Sequence, residues 1–284
     1  MKWCELKVEV NDFAREAVVE ILRKEKAEGV VIDDSKESRV ELTAFFPENS
    51  VPSGLYDKIS HLKKFNLSPG EIIIKRKLIK DEDWMYSWQE YIQPVEVAEQ
   101  FVICPDWPDC SDSEYTEIKI KPGMAFGTGS HESTGLALEL LVNHAGPERK
   151  NMLDAGCGTG ILSIAAAKMG QENIVALDVS EAAVRSSREN IKLNTVENII
   201  EVKNKDISEV YGEYSIVIAN LLPVLMKKLL PHLVERVGQD GVLILSGLIQ
   251  KEYKPVVSRV NDLGLKIIES AYWGDWSALV AEGG

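Results

Sequence analysis

The chain has 284 residues, which favours two domains, and its 32 Lys and Arg residues against 45 Asp and Glu residues leave a formal net charge of −13. This acidic balance argues against a general nucleic-acid binder, which would present a basic face, and a hydrophobic fraction of 45% excludes a disordered chain. The sequence shows no signal peptide, no apolar run long enough to span a membrane, and no metal-site spacing among its four cysteines and four histidines. We therefore expect a cytoplasmic protein without a metal site or membrane association.

Residues 1–80 alternate between strand and helix patterns. The predicted elements follow the order βαββαβ, at Trp3–Val10, Phe13–Leu22, Val30–Asp33, Val40–Phe46, Leu55–Phe65 and Glu71–Ile79. This order predicts a small α+β domain of the ferredoxin-like type. Because the segment has no glycine-rich ligand loop, we expect it to serve substrate recognition.

Residues 81–100, DEDWMYSWQEYIQPVEVAEQ, break the alternation with an acidic and aromatic composition. We interpret them as a linker that is helical in part. Trp84 and Trp88 are four residues apart within it, and core packing is the simplest role for both. This leaves residues 101–284 as the second domain.

From about Lys150 onward, strands and helices alternate regularly. The predicted strands are Asn151–Asp154, Asn173–Asp178, Ile199–Val202, Ser215–Asn220, Val242–Ser246, Leu265–Ala271 and Ser277–Ala281, and the predicted helices are Ile161–Lys168, Glu181–Asn194, Leu225–Val237 and Ile249–Leu263. Near-continuous apolar strands belong in a sheet that is buried on both faces. The second domain is therefore predicted to be α/β, doubly wound and Rossmann-like, with its ligand at the carboxyl ends of the strands.

A glycine-rich turn, DAGCGTG, runs from Asp154 to Gly160 between a predicted strand and a predicted helix. Glycines let the backbone approach a ligand closely, and the helix N–H groups at such a turn can point at the ligand. Asp178 ends the next strand, where a carboxylate can accept hydrogen bonds from both hydroxyls of a ribose. The alternative is a tight turn beside a helix-capping Asp, but the turn and the strand-end acid together favour nucleoside binding.

A second glycine-rich segment, PGMAFGTGSHEST, covers residues 122–134 and leads into a helix with Leu136, Leu140 and Leu141 on its buried face. Two glycine-rich loops in series are hard to explain as turns alone. The second loop can fold over a ligand as a lid, in which Phe126 is an apolar wall.

The spacing G-x-G-x-G after Asp154 resembles motif I of the S-adenosylmethionine-dependent class I methyltransferases. The whole chain resembles one family of these enzymes, the methyltransferases of ribosomal large-subunit protein eleven (the PrmA family). The family motifs P-G-x-A-F-G-T-G-x-H-x-x-T, D-x-G-C-G-[ST]-G-I-L, A-N-[IL]-L and S-G-[IL] are matched at Pro122–Thr134, Asp154–Leu162, Ala219–Leu222 and Ser246–Leu248. The sequence departs from the family at residues 131–134, HEST for H-P-T-T, and at residues 178–181, DVSE for D-x-D-P.

The resemblance implies a class I methyltransferase domain behind a small recognition domain, with S-adenosylmethionine as cofactor. It also implies methyl transfer to lysine side chains of ribosomal large-subunit protein eleven, with the N-terminal amine as a further acceptor. Asn220 is the expected catalytic residue, which orients the amine. The expected cofactor-binding residues are Thr134, Gly156, Asp178 and Asn220 by the motifs, together with Phe126, Gly127, Thr128 and Gly158 of the two glycine-rich loops. We expect a monomer that binds the ribosomal protein and does not bind nucleic acid directly.

Two other functions stay open on the residues alone. A class I methyltransferase can act on another protein, a small molecule or ribosomal RNA, although an rRNA enzyme favours N-P-P-[YF] in place of the NLLP at residues 220–223. A non-catalytic binding module could use the α/β domain only as a scaffold, against which the intact Gly156, Asp178 and Asn220 argue.

Three single residues have alternative interpretations. Asp206 follows the third strand of the second domain, where an acid can contact the adenine amine or cap a helix. His131 can approach the amine or satisfy backbone groups of its own loop. Cys157 is expected to fill space inside the glycine turn and not to act as a nucleophile.

Overall fold

The computed structural model describes residues 2–27, 29–33, 39–65, 69–80, 94–106, 114–121 and 131–283. They fall into two compact units, of which the first holds the described residues up to 80 and the second those from 94 onward. No helix within these ranges is long and apolar enough to cross a membrane.

The first unit is a four-stranded antiparallel sheet with two helices. Its elements are β1 (Lys2–Asn11), α1 (Arg15–Lys24), β2 (Gly29–Asp33), β3 (Arg39–Pro47), α2 (Leu55–Ser60) and β4 (Ile73–Lys80), and the strand order is β2-β3-β1-β4. Alternate residues of β1 and β3, such as Val8 and Leu42, form one core with Val18 and Ile59 of the helices. The element order agrees with the sequence prediction.

The first helix begins later than predicted. Asn11 caps a short 3-10 turn by accepting a hydrogen bond from the Phe13 backbone N–H, so α1 starts only at Arg15. Phe13 is 85% exposed and does not belong to the buried face that its helical spacing suggested.

The second unit contains the remaining ten strands and five helices of the described chain. These are β5 (Val95–Val97), β6 (Phe101–Pro105), β7 (Thr116–Ile120), α3 (Glu132–His144), β8 (Asn151–Ala155), α4 (Ile161–Lys168), β9 (Asn173–Asp178), α5 (Glu181–Leu193), β10 (Ile200–Asn204), β11 (Tyr214–Asn220), α6 (Pro223–Val234), β12 (Val237–Ile249), α7 (Gln250–Asp262), β13 (Leu265–Trp273) and β14 (Trp276–Gly283).

The second unit is built around a seven-stranded sheet in the order β10-β9-β8-β11-β12-β14-β13. The first five strands of this order are parallel, and the last two join antiparallel. Helices α3, α4 and α5 share one core with the sheet, and α6 and α7 share the other. Neighbouring residues of β11 alternate between them, since Ile216 and Ile218 join the first core and Val217 and Ala219 the second. The predicted doubly wound α/β fold is confirmed.

A three-stranded sheet in the order β5-β6-β7 was not predicted. Its strands are only three to five residues long, and β5 lies inside residues 81–100, which the sequence analysis interprets as a linker. Phe101, Ile103, Ile118 and Ile120 of this sheet pack into the core that also holds α3, α4 and α5. Residues 81–93 of the linker lie outside the described residues, and the domain boundaries stay a prediction.

Candidate active site

Three predicted site residues meet at the carboxyl ends of adjacent parallel strands. The chain passes from β8 to β9 and β10 on one side of the sheet and to β11 and β12 on the other, so β8 and β11 flank the point where the strand order reverses. Ligands of open α/β sheets bind at such a point. The glycine turn follows β8, Asp178 is the last residue of β9, and Asn220 is the last residue of β11.

The glycine turn is bonded to the end of β9. Gly156, Gly158 and Gly160 have φ angles of 84°, 54° and 82°, in the left-handed region that favours glycine. The backbone N–H groups of Gly156 and Cys157 each donate to the Leu177 carbonyl over 2.8 Å. These two N–H groups are therefore bonded within the protein.

Asp178 joins the turn to the helix that follows. Its Oδ2 accepts a hydrogen bond from the Gly158 backbone N–H over 3.1 Å, and its Oδ1 accepts one from the Ser180 backbone N–H over 2.9 Å. The Asn204 side chain donates to the Asp178 backbone carbonyl over 2.9 Å. Because an ionised carboxylate offers about four acceptor positions, about two remain open at Asp178 for further donors.

Asn220 is nearly buried, at 9% exposure, beside α3. Its Nδ2 donates to the hydroxyl of Thr134 over 3.4 Å, and Thr134 is fully buried in the first turn of that helix. The structure thus brings together two residues that are far apart in the sequence. Among the described residues, Asn220 Oδ1 has no hydrogen-bond partner. A buried acceptor left in this way needs a donor from a ligand or from water.

The contact between Gly247 and Asn220 is a feature of the site that the sequence did not indicate. The pairing of β12 with β14 shifts register between Leu245 and Leu248, and Gly247 lies in this bulge with a φ angle of 82°. A Cβ at position 247 would lie 2.5 Å from the Leu221 carbonyl oxygen and 2.9 Å from Asn220 Oδ1. The motif S-G-[IL] contains this glycine, but only the structure shows that a side chain there would displace Asn220.

Asp154 is a buried acid beneath the glycine turn. The Ser163 hydroxyl donates to its Oδ2 over 2.7 Å, and its Oδ1 has no partner among the described residues. Burial raises the pKa of this carboxyl from 3.8 to about 7, and the nearby Asp178 adds to the rise, whereas the bond from Ser163 opposes it. Asp154 therefore carries a proton for part of the time at neutral pH.

Cys157 and Asp206 have structural roles. Burial raises the pKa of the Cys157 thiol, and Asp154 and Asp178 raise it further, so the reactive thiolate does not form. This agrees with the predicted space-filling role. Asp206 caps a 3-10 turn, since it accepts bonds from the Ser208 backbone N–H and hydroxyl, which lower its pKa. Of its two interpretations, the helix cap is the one that the described contacts support.

His131 is the N-cap of α3. Its Nδ1 accepts a bond from the Ser133 backbone N–H over 3.2 Å, and its ring meets that of Trp276 edge-on with 4.7 Å between centroids. Of the two interpretations of His131, these contacts support the second, in which it satisfies backbone groups of its own loop. Phe126, Gly127 and Thr128 lie outside the described residues.

Comparisons with known proteins cover both units of the chain. The family model described as "Ribosomal protein L11 methyltransferase (PrmA)" matches residues 2–283. Ribosomal protein L11 methyltransferases of Thermoanaerobacter pseudethanolicus and Carboxydothermus hydrogenoformans are 31% and 34% identical to this chain, each over 99% of both chains. The crystal structure of a ribosomal protein L11 methylase from Lactobacillus delbrueckii subsp. bulgaricus superposes with a TM-score of 0.63 at 27% identity, over 68% of this chain and 99% of that chain.

Proposed function

The chain belongs to the ribosomal protein L11 methyltransferase family, and we propose that it transfers methyl groups from S-adenosylmethionine to amines of ribosomal protein L11. The acceptors proposed are lysine side chains and the N-terminal amine. The observation that carries this proposal is Asn220, whose buried Oδ1 is available at the carboxyl end of β11. We place the enzyme in the cytoplasm, as a monomer that recognises the protein substrate without binding nucleic acid.

The described residues fit the proposed cofactor. Asp178 has open acceptor positions for the two ribose hydroxyls, and Gly156 and Gly158 have no side chains of their own. The side chain of Leu221 lies against Gly156, 2.4 Å from where a Cβ of this residue would be. Thr134 contacts Asn220, which is the last residue of the neighbouring strand β11. When bound, S-adenosylmethionine supplies an electrophilic methyl group on a sulfonium.

Asn220 is proposed to orient the substrate amine. Its Oδ1 can accept an N–H of the neutral amine, which leaves the nitrogen lone pair free to attack. An amide oxygen does not titrate near neutral pH, so it holds the neutral amine without taking its proton. Fixing the direction of attack in this way lowers the activation barrier, because the two reactants are already positioned for transfer.

The acceptor amine must lose its proton to the solvent before it reacts. For a lysine with a pKa near 10.4, the neutral form at pH 7 costs about 4.6 kcal/mol, whereas an α-amino group with a pKa near 8 needs only about 1.4 kcal/mol. Desolvation beside Asn220 lowers both costs because it disfavours the ammonium. No side chain needs to act as a dedicated base.

The first unit is proposed to capture the substrate. Residues 1–80 are assigned to recognition and residues 101–284 to catalysis. Of the proposed linker at residues 81–100, residues 94–100 belong to the second unit. All the site contacts described above lie within the second unit. The first unit therefore contributes none of the described contacts of the proposed cofactor site, which supports its assignment to recognition of the protein substrate.

The function is tested with transfer of a radiolabelled methyl group to purified L11. We expect Asn220→Ala to lower turnover on the order of a hundredfold at saturating cofactor, through lost positioning. Asn220→Asp should also lose turnover, because its negative charge favours the ammonium form of the substrate, and its remaining activity should shift toward higher pH. Asn173→Ala is the matched control, since this exposed residue begins β9 at the opposite end of the sheet. Near-normal turnover in both Asn220 variants would remove this residue from the mechanism.

A further inference from the structure

Two asparagines are buried on the inner face of helix α5 and at its C-cap, together with apolar residues such as Val184 and Ile191. Asn190 is fully buried and Asn194, directly after the last residue of the helix, is 6% exposed. A buried side-chain amide is unfavourable unless its donors and its acceptor are bonded. Both side chains meet this need with backbone groups distant in the sequence.

Asn194 bonds to the free edge of β7. Its Oδ1 accepts from the Lys119 backbone N–H over 2.9 Å, and its Nδ2 donates to the Lys119 carbonyl over 2.7 Å. Since β7 is an end strand of the three-stranded sheet, the amide takes the place of a neighbouring strand there. The Nδ2 group also donates to the Asn190 carbonyl within the helix turn.

Asn190 continues this pattern but also reaches the glycine turn. Its Oδ1 accepts from the Lys121 backbone N–H over 2.9 Å, and its Nδ2 donates to the Thr159 carbonyl over 2.9 Å. Thr159 lies between Gly158 and Gly160 in the turn, and Lys121 directly precedes the second glycine-rich segment in the sequence. One amide thus bonds both to the turn and to Lys121, the last described residue before the other glycine-rich segment.

A second contact joins α5 to the same turn. Gly160 has a φ angle of 82°, and a Cβ there would lie 3.2 Å from the Cβ of Ser187. Ser187 is fully buried, one helix turn before Asn190. The helix therefore contacts two consecutive residues of the turn, Thr159 through the amide and Gly160 through close packing.

We propose that Asn190 is a positioning residue for the cofactor. By holding the Thr159 carbonyl, it keeps the turn in the conformation in which the Gly158 N–H meets the carboxylate of Asp178. The same side chain also bonds to the backbone N–H of Lys121, so it joins this residue to the turn. Asn190 does not touch the reacting atoms, and its effect on S-adenosylmethionine binding rests on the proposed function.

The test compares Asn190→Ala with Asn194→Ala in the full chain. Both variants remove the same side-chain atoms. Asn194→Ala breaks bonds to Lys119 of β7, and Asn190→Ala breaks the bond to Lys121, the residue after β7, but only Asn190→Ala frees the glycine turn. Calorimetry should show that Asn190→Ala raises the Kd for S-adenosylmethionine about tenfold, since a bond to a buried carbonyl is lost. Asn194→Ala should lower Tm to a similar extent and leave this Kd within about twofold. Asn190→Ser and Asn194→Ser replace these variants if either does not fold, and the same contrast is expected.

Amide hydrogen exchange without cofactor separates this inference from the proposed function. Exchange in a peptide that covers residues 156–160 should become faster in Asn190→Ala than in the wild type and stay unchanged in Asn194→Ala. The proposal is overturned if both variants change exchange and Kd in proportion to their loss of Tm, or if Asn190→Ala changes neither. Absence of cofactor binding by the wild type would instead refute the proposed function, whatever the exchange data show.

Discussion

Replacement of Asp178 by alanine is expected to weaken cofactor binding strongly. About four acceptor positions belong to the ionised carboxylate, and the N–H groups of Gly158 and Ser180 occupy two of them, so two are left for the ribose hydroxyls. Removal of hydrogen bonds to a charged group costs on the order of 1.5–3 kcal/mol, which corresponds to a Kd about 10 to 150 times higher.

The same replacement also frees the glycine turn from β9. The Gly158 N–H loses its acceptor in Asp178→Ala, so the effect on binding should fall in the upper part of that range. Asp178→Asn keeps one oxygen and should lie between the wild type and Asp178→Ala, because its nitrogen cannot accept from either backbone N–H.

Isothermal titration calorimetry with S-adenosylmethionine measures this effect. Asp262→Ala is the control, because Asp262 is an exposed acid at the end of α7, and its Kd should equal that of the wild type. Circular dichroism checks that each variant is folded. An unchanged Kd in folded Asp178→Ala would refute the assignment of Asp178 to the ribose.

Three further predictions concern the glycine bulge, the buried acid and the first unit. Gly247→Ala should lower kcat on the order of a hundredfold and change the cofactor Kd much less. The reason is that the added Cβ would overlap the Leu221 carbonyl and displace Asn220. An unchanged kcat would contradict this role of Gly247. Asp154→Asn should flatten the pH dependence of stability. Asp154 binds its proton more tightly in the folded protein than in the unfolded chain. The wild type therefore loses on the order of 4 kcal/mol of unfolding free energy as the pH rises from about 4 to about 7. Urea unfolding at about pH 5 and about pH 8 tests this, and parallel curves for the two proteins would exclude the raised pKa. A protein of residues 81–284 that folds and binds S-adenosylmethionine should lose activity on L11, and activity at the full-length rate would rule out the recognition role of residues 1–80.

The seven-stranded sheet could be predicted because its central strands, such as β8, β11 and β12, are apolar and its turns carry strong signals. Asn173–Asp178 and Ile161–Lys168 have the predicted bounds, since the strand is a short apolar run and the helix follows a glycine turn. The strand β5 could not be predicted, because three residues show no periodicity and the strand depends on pairing with Phe101–Ile103 and on the packing of Val97 into the core.

The positions of candidate site residues at strand ends could be predicted, whereas their contacts with residues distant in the sequence could not. Asp178 and Asn220 follow from the rule that ligands bind at the carboxyl ends of parallel strands. The contact of Gly247 with Asn220 depends on a register shift between β12 and β14, and the bonds of Asn190 to Thr159 depend on how α5 packs. Local sequence contains no signal for either.

Peptide-resolved mass spectrometry of L11 tests the central claim most directly. Purified L11 is incubated with S-adenosylmethionine and either the wild-type chain or Asn220→Ala. With the wild type, we expect added methyl groups on lysine side chains and on the N-terminal amine of L11, and with the variant we expect little or no addition over the same time. L11 that stays unmodified with a wild-type chain shown to bind S-adenosylmethionine, or methyl groups found on side chains other than amines, would contradict the proposed function.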